Sequence, residues 1–341
     1  MIGIIAVGLA LLSRVQPPDL PPLITAGVTD TPPRIDGRMD DPCWAVAAVA
    51  APFVLLATAE LPTQRTVTRI CGDAEAIYVG FWCWEDLPDH ISARAQKNDS
   101  GEAWKDDCVE VFLAPDGIGR VYYHLIVTAG GMVDDEMCWR FGAERSLTWN
   151  AYAQTAVRRF ENGWTCEIAF PLRYLGGASL TGRWLANFAR AEQPHGEYSS
   201  WSALITGFHE PKRFGHLVWE KQAAVANLEM SPLSVGPAWV RFGWARLEPD
   251  LVVRVRQLTP LAEYPVGLSA EADRWQFTLV PRTDSFLRIE TFSGQPPGGR
   301  LLFATAPIAY SLAPVTDKLA QLNSWVQEAA VIAGQGRGVI A

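Results

Sequence analysis

The sequence predicts an all-β fold, an antiparallel β-sandwich followed by a smaller β-rich region. Apolar and polar residues alternate with a period of two in successive short segments, which is typical of strands with one buried face. Turn signals separate these segments, among them Asn162-Gly163 in FENGW and Gly72-Asp73 in CGDAEAIY. The 24 Pro and 28 Gly residues fit a chain with many turns. Closely spaced antiparallel strands without a long helical period indicate a sandwich.

The first element, residues 1–18, is predicted to be a signal peptide. The apolar run from Ile2 to Leu12 is too short to span a bilayer and has the length of a signal-peptide core. It lacks a preceding Lys or Arg and a following A-x-A site, so an ordinary apolar start is the alternative. Residues 19–34 are Pro-rich, as in a linker or a leading strand. A signal peptide implies a secreted, periplasmic or cell-surface protein.

The first domain is predicted to cover residues 22–220. Its strands are expected near 66–71, 76–84, 107–113, 121–128, 152–160, 164–170, 184–190 and 214–219. A change of composition after Glu220 predicts a linker at 221–237.

A smaller β-rich domain is predicted at 238–341, for which an immunoglobulin-like fold is one alternative. Its alternating segments lie near 238–247, 250–258, 274–280, 286–292 and 300–304. Residues 316–334 have a Thr cap, one apolar face and a closing Gly, which predicts an amphipathic helix. That helix would pack on its own domain or on a protein partner.

Charge and cysteine content narrow the classes of function. A net charge of −8 gives the chain no electrostatic means of holding a phosphate backbone, so nucleic-acid binding is disfavoured. Beyond the N-terminus no segment resembles a membrane span. The cysteines form no CxxC motif, and disulfides and small buried hydrophobes are equally good interpretations; they are residues 43, 71, 83, 108, 138 and 166. The five histidines show no ligand spacing; they are residues 90, 124, 195, 209 and 216.

Six segments, in this order and spacing, resemble the family 9 carbohydrate-binding modules. They are 33–47 (PRIDGRMDDPCWAVA), 77–86 (IYVGFWCWED), 104–117 (WKDDCVEVFLAPDG), 164–176 (WTCEIAFPLRYLG), 199–204 (SSWSAL) and 207–219 (GFHEPKRFGHLVW). The resemblance covers roughly residues 22–220. It implies a non-catalytic sandwich that binds a polysaccharide or oligosaccharide, in the context of carbohydrate catabolism. In such modules two Trp clamp the sugar ring, polar side chains contact its hydroxyls, and structural calcium is common.

The resemblance assigns a sugar-binding role to five residues. The first clamp position is Trp104, and the second is occupied by Phe208, a smaller ring. Glu110 matches a family Glu that contacts sugar hydroxyls. On the next strand the family has Gln, Arg and Asn, whereas this chain has His124, an Ile and Thr128. The missing Arg removes a charge-assisted donor, so altered specificity, weak binding or a lost site are the alternatives.

Strand alternation supports the Glu110 assignment independently. Residues on one face are predicted to be core, namely Val109, Val111 and Leu113. Glu110 lies on the other face, between apolar neighbours, and therefore needs a partner. The partner is a ligand or a cation such as Lys105.

Three rival functions remain open. A glycoside hydrolase needs two carboxylates about one bond, and Glu110 with Glu167 is one candidate pair. A haem-binding redox sandwich would use His124, Met132 and Met137 as axial candidates. A structural or assembly module of the cell surface is the third. Calcium would require converging oxygens; the candidate runs are Asp40-Asp41, Asp106-Asp107 and Asp134-Asp135-Glu136.

Overall fold

The computed structural model describes residues 16–231, 233, 236–246, 250–258, 261–268, 274–279 and 285–310. The apolar core of the predicted signal peptide and the predicted helix at 316–334 lie outside the described residues. Within them, regular structure is almost entirely β-strand, so the all-β prediction is confirmed. No helix in the described part of the chain is long and apolar enough to cross a membrane.

The strands of the first half of the chain follow the predicted segments closely. In chain order they are β1 (Leu23–Gly27), β2 (Ala48–Ala50), β3 (Val54–Leu55), β4 (Thr66–Gly72), β5 (Ala76–Trp84), β6 (Cys108–Ala114), β7 (Val121–Thr128), β8 (Val133–Trp139), β9 (Glu144–Ser146), β10 (Gln154–Phe160), β11 (Gly163–Pro171), β12 (Gly182–Glu192), β13 (Glu197–Ser200) and β14 (Gly215–Glu220). The helices of the described residues are short: α1 (Pro42–Val46) and 3₁₀ turns at Pro88–His90, Ala103–Lys105, Leu172–Tyr174 and Pro211–Arg213.

The second half of the chain continues with strands. They are β15 (Val225–Met230), β16 (Gly236–Trp244), β17 (Leu251–Leu258), β18 (Leu261–Tyr264), β19 (Gly267–Leu268), β20 (Arg274–Leu279), β21 (Ser285–Ser293), β22 (Arg300–Ala304) and β23 (Ile308–Tyr310). The five alternating segments predicted after residue 237 therefore all correspond to strands.

The strands described above form three sheets. The first has the order β18-β17-β21-β22-β1-β14-β12-β6-β7-β8-β9, with β13 beside β12, β3 beside β13 and β23 beside β21. The second has the order β10-β11-β5-β4-β2, and the third β15-β16-β20-β19. All neighbouring strands are antiparallel except β1 and β14.

The sandwich core lies between the first and second sheets. Val109, Val111 and Leu113 of β6 belong to one buried cluster with residues of β5 and β11. The rings of Phe81 on β5 and Phe188 on β12 meet edge to face at 6.3 Å. The inward-facing side chains of both sheets therefore build the core. The alternation predicted for β6 is confirmed.

Strand β1 joins the two halves of the chain within one sheet. It pairs with β14 on one side and with β22 on the other, where Leu23 lies opposite Ala304. Strand β15 falls inside the predicted linker at 221–237. The division into domains at 22–220 and 238–341 stays a prediction.

The turn between β10 and β11 differs from its prediction. The β10–β11 turn is formed by Glu161 and Asn162, because Phe160 pairs with Gly163; only Gly163 of the Asn-Gly pair has a positive φ, 145°. The turn is therefore one residue earlier than the Asn-Gly signal predicts.

All six cysteines are buried free thiols, which corresponds to the small-hydrophobe interpretation.

Candidate functional site

The outer face of the first sheet carries a buried chain of three polar side chains. Glu110 on β6, His124 on β7 and Glu136 on β8 point away from the core, and His124 and Glu136 are direct cross-strand partners. His124 Nε2 lies 2.8 Å from Glu110 Oε2, and its Nδ1 lies 3.1 Å from Glu136 Oε1. Each side chain is at most 7% exposed. The partner of Glu110 is thus His124, whereas Lys105 pairs with Glu102 at 2.6 Å.

An aromatic platform fixes the orientation of this polar chain. Phe112, which is fully buried, stacks on the His124 ring at 4.2 Å with an interplanar angle of 9°. His209, from the segment between β13 and β14, meets both rings edge-on, at 5.2 Å from Phe112 and 4.7 Å from His124. Its Nδ1 lies 2.9 Å from Tyr122 Oη.

Aromatic and charged residues surround this floor and complete what we call the sheet-face pocket, of about 310 Å³. Trp104 stands on the 3₁₀ turn Ala103–Lys105 and is 50% exposed. Tyr198 and Phe208 line the same pocket, with their ring centroids 6.4 Å apart. The lining residues are Gly101, Trp104, Glu110, His124, Ile126, Asp134, Asp135, Glu136, Arg145, Leu147, Tyr198, Phe208 and His209.

The pocket includes four of the five residues to which a sugar-binding role was assigned. Trp104, Glu110, His124 and Phe208 all line it. Thr128 shares the sheet face but is fully buried, and its hydroxyl accepts the amide proton of Met132. Thr128 is therefore placed to hold a turn rather than to contact a ligand.

Ile126 has a packing role at the position where the family has Arg. It forms a small apolar cluster with Ala103, Cys108 and Ala191 beneath the turn that carries Trp104. A guanidinium nonetheless reaches the pocket from β9, where Arg145 Nη1 lies 3.4 Å from Glu136 Oε2.

Nine of the pocket residues were not assigned a sugar-binding role from the sequence, among them four with polar or charged groups on strands or loops that the assignment did not use. Glu136 and Arg145 lie on the short strands β8 and β9, and Tyr198 and His209 arrive from the β13–β14 region. His209 adjoins Phe208 in the segment that resembles the second clamp, Tyr198 directly precedes the segment 199–204, and Glu136 belongs to a run considered for calcium.

Burial and mutual contact shift the pKa values of these groups. Burial alone lowers the pKa of His124, but the hydrogen bonds to Glu110 and Glu136 outweigh it and raise that pKa to about 9. For Glu136 the contact with His124 outweighs burial and lowers the pKa to about 2. Partial burial and the charge on His124 lower the pKa of His209 to about 3. At neutral pH, His124 is cationic between two carboxylates and His209 is neutral.

The raised pKa of His124 predicts a loss of stability in mild alkali. Its contribution to folding is complete below the unfolded pKa of 6.5 and disappears as the pH rises through about 9. The shift corresponds to about 3 kcal/mol. Urea unfolding in metal-free buffer between pH 6 and pH 10 should show this loss in the parent protein and much less of it in His124→Asn. Equal pH slopes for the two proteins would contradict the assignment.

The structure separates two pairs of residues that rival functions would bring together. Met137 pairs with Tyr123 and packs against the core, so it lies on the face opposite His124 and cannot share an axial site with it. Glu110 and Glu167 point outward from opposite sheets, because each alternates with core residues of its own strand. Carboxylates separated by the whole sandwich cannot flank one glycosidic bond.

Among the described residues, two groups of candidate metal ligands lie outside the pocket. Glu85, Asp107 and Glu192 are buried, and their carboxylates offer oxygens within 4.8 Å of one another. Glu85 also forms a second group with Asp86 and His195. The other predicted calcium residues chiefly accept backbone amide protons: Asp41 from Arg34, Asp106 from Arg94 and Ala95, Asp134 from Ser100 and Ala103, and Asp135 from Ala151.

Comparison with known proteins gives one family match and several similar folds. The model of the family described as "Carbohydrate family 9 binding domain-like" matches residues 35–222. No curated protein sequence matches the chain. Similar solved structures include a candidate carbohydrate-binding protein from Bacteroides uniformis ATCC 8492, 18% identical over 58% of this chain and 97% of that one, with a TM-score of 0.45.

Two further similar structures are complexes of a family 9 carbohydrate-binding module from Caldicellulosiruptor kristjanssonii. The cellotriose complex is 14% identical over 58% of this chain and 94% of that one, with a TM-score of 0.39. The glucose complex is 15% identical over 58% and 96%, with a TM-score of 0.41.

Proposed function

The chain belongs to the carbohydrate family 9 binding domain-like family, and we propose that its sheet-face pocket binds a carbohydrate without transforming it. One observation carries the proposal. The half-exposed Trp104 lines the same pocket as the aromatic rings of Tyr198 and Phe208, together with the carboxylates of Glu110 and Glu136. Flat apolar walls over hydrogen-bonding groups match a pyranose ring, which has apolar C–H faces and a polar edge.

The aromatic walls supply contact area at little entropic cost. An indole is rigid and has only two rotatable side-chain bonds, so holding it against a sugar costs little conformational entropy. Trp104 is already placed by the turn beneath it, where the Ala103 amide donates to Asp134 Oδ2 at 3.0 Å. The sugar would therefore enter a preformed slot.

The polar floor favours hydroxyl groups over anionic groups. Glu110 and Glu136 accept protons from hydroxyls, and Arg145, 62% exposed, can donate to ring or hydroxyl oxygens. Asp134, on the same face of β8 as Glu136, adds further negative charge to the lining. We therefore propose a neutral sugar as ligand and expect uronic acids to be rejected by charge repulsion.

A glycan array probed with the full-length protein tests the proposed function, with calorimetry on each bound glycan. The proposal predicts binding to at least one neutral polysaccharide or oligosaccharide and none to matched polyuronates. Binding to no neutral glycan would refute it, and preference for uronates would refute the charge argument.

A structural calcium ion, implied by the family, fits the buried group Glu85, Asp107 and Glu192. Burial raises the pKa of Glu85 and Asp107. Arg190 contacts this group, with its Nη2 3.2 Å from Glu85. His195 also contacts it, with its Nδ1 2.9 Å from Glu192, so three carboxylates meet two basic side chains. Hard oxygen donors with excess negative charge suit Ca²⁺. We propose that this group binds the calcium ion. We also propose that the protein is exported to a compartment in which calcium is abundant.

Calcium removal is therefore expected to destabilise the fold. At 100 times its dissociation constant, bound calcium contributes about 2.7 kcal/mol. Scanning calorimetry should show a lower Tm in a calcium chelator than in calcium, with the difference abolished in Glu192→Gln. A Tm independent of calcium in the parent protein would rule the site out.

A further inference from the structure

Two histidines and a carboxylate converge on the pocket floor from the adjacent strands β7 and β8 and from the segment between β13 and β14. Glu136 Oε1 lies 3.1 Å from His124 Nδ1 and 3.7 Å from His209 Nε2. The three residues offer ligand atoms that all lie within 4.8 Å of one another. A tetrahedral ion with bonds of about 2.0–2.1 Å holds neighbouring ligand atoms about 3.3 Å apart. The two measured distances lie on either side of this value.

The far nitrogen of each imidazole is held by a partner of the kind that metal-binding histidines use. His124 contacts Glu110 through Nε2 at 2.8 Å, and His209 contacts Tyr122 Oη through Nδ1 at 2.9 Å. A carboxylate or phenol oxygen there fixes the tautomer that leaves the other nitrogen free to ligate. His124 Nδ1 and His209 Nε2, the nitrogens so freed, are the two that face Glu136.

The arrangement is rigid on one side and open on the other. Phe112 packs flat on His124 and edge-on to His209, which locks both ring planes. His209 is 39% exposed and lines the pocket, so an ion can enter without unfolding the sheet. Sites with three protein ligands and a free position toward a cavity are typical of accessible zinc.

We propose that His124, His209 and Glu136 bind a Zn²⁺ ion, with a coordination position open to the sheet-face pocket. Two imidazoles and one carboxylate suit Zn²⁺ and the neighbouring transition metals, and they disfavour Ca²⁺ and Mg²⁺. The ion takes the place of the proton that His124 shares with Glu136. This inference goes beyond carbohydrate binding and does not depend on it.

Titration of ZnCl₂ into tag-free, metal-free, full-length protein tests the site, with no carbohydrate present. Because Glu85, Asp86 and His195 form another donor group, the His195→Ala variant is the reference. It is expected to bind Zn²⁺ with a Kd on the order of 1 µM or tighter, unaffected by excess Ca²⁺. Co²⁺ should give the visible absorption bands of a low-symmetry site with nitrogen ligands.

Two further substitutions in the His195→Ala background separate ligation from folding. His209→Ala should weaken Zn²⁺ binding by at least about 100-fold, and Tyr122→Phe, which removes only a supporting partner, by about 10- to 100-fold. Circular dichroism of each variant establishes that it is folded. No micromolar Zn²⁺ binding by the reference, or binding unchanged in folded His209→Ala, would overturn the proposal.

Discussion

Replacing Trp104 with alanine is expected to weaken carbohydrate binding by about 30-fold, which corresponds to about 2 kcal/mol. The indole is half exposed and forms one wall of the sheet-face pocket, so its loss removes the stacking surface while the floor of Glu110 and His124 remains. Calorimetric titration of the parent and variant proteins with the best glycan gives the ratio of Kd values.

The free energy of unfolding of the Trp104→Ala variant shows whether its fold is intact. Because Trp104 is 50% exposed, its removal should change the free energy of unfolding little. Tyr152→Ala is the matched substitution, since that ring is 63% exposed and does not line the pocket. Equal affinity in Trp104→Ala and Tyr152→Ala would show that the sugar binds elsewhere.

Replacing Glu167 with alanine is expected to lower the free energy of unfolding by about 4 kcal/mol. This fully buried carboxylate accepts protons from the amides of Asp36, Gly37 and Met39 and from the indole of Trp44. Met39 has a positive φ of 59°, a conformation that costs energy in a residue with a side chain. Without the carboxylate, the four donors lose their common acceptor inside the fold.

Urea unfolding of the full-length protein measures this effect. Glu167→Gln keeps one carbonyl acceptor and should lose about half as much stability. Glu161→Ala, at the exposed β10–β11 turn, should be nearly neutral. Carbohydrate binding by folded Glu167→Gln should remain intact, because Glu167 lies on the far side of the sandwich. A Glu167→Ala variant with the same free energy of unfolding as the parent protein would contradict this structural role.

Alternation of apolar residues made the strands predictable. Segments such as 76–84 and 121–128 have one strictly buried face, and the structure has strands with those bounds. Strand β8 was not predicted, because its sequence VDDEMCW places acidic residues on both faces. Asp135 points inward and accepts the Ala151 amide proton, so the core-facing position is polar and the hydrophobic pattern is absent.

The candidate site was only partly predictable, because the contacts that assemble it are distant in sequence. Trp104 and Glu110 belong to a recognisable segment, and their surroundings follow from one strand and one turn. His209 reaches His124 only because the chain between β13 and β14 folds back over the sheet face. No spacing between residues 124 and 209 encodes that approach. The insertion of β1 between β14 and β22 is unpredictable for the same reason.

A crystal structure of the full-length protein with its best neutral glycan tests the central claim most directly. The predicted result is a pyranose ring stacked on Trp104, with hydroxyl groups within hydrogen-bonding distance of the carboxylates of Glu110 or Glu136. A glycan bound at another surface, such as the apolar cavity between Phe53 and Trp239, with the sheet-face pocket free of sugar, would contradict it.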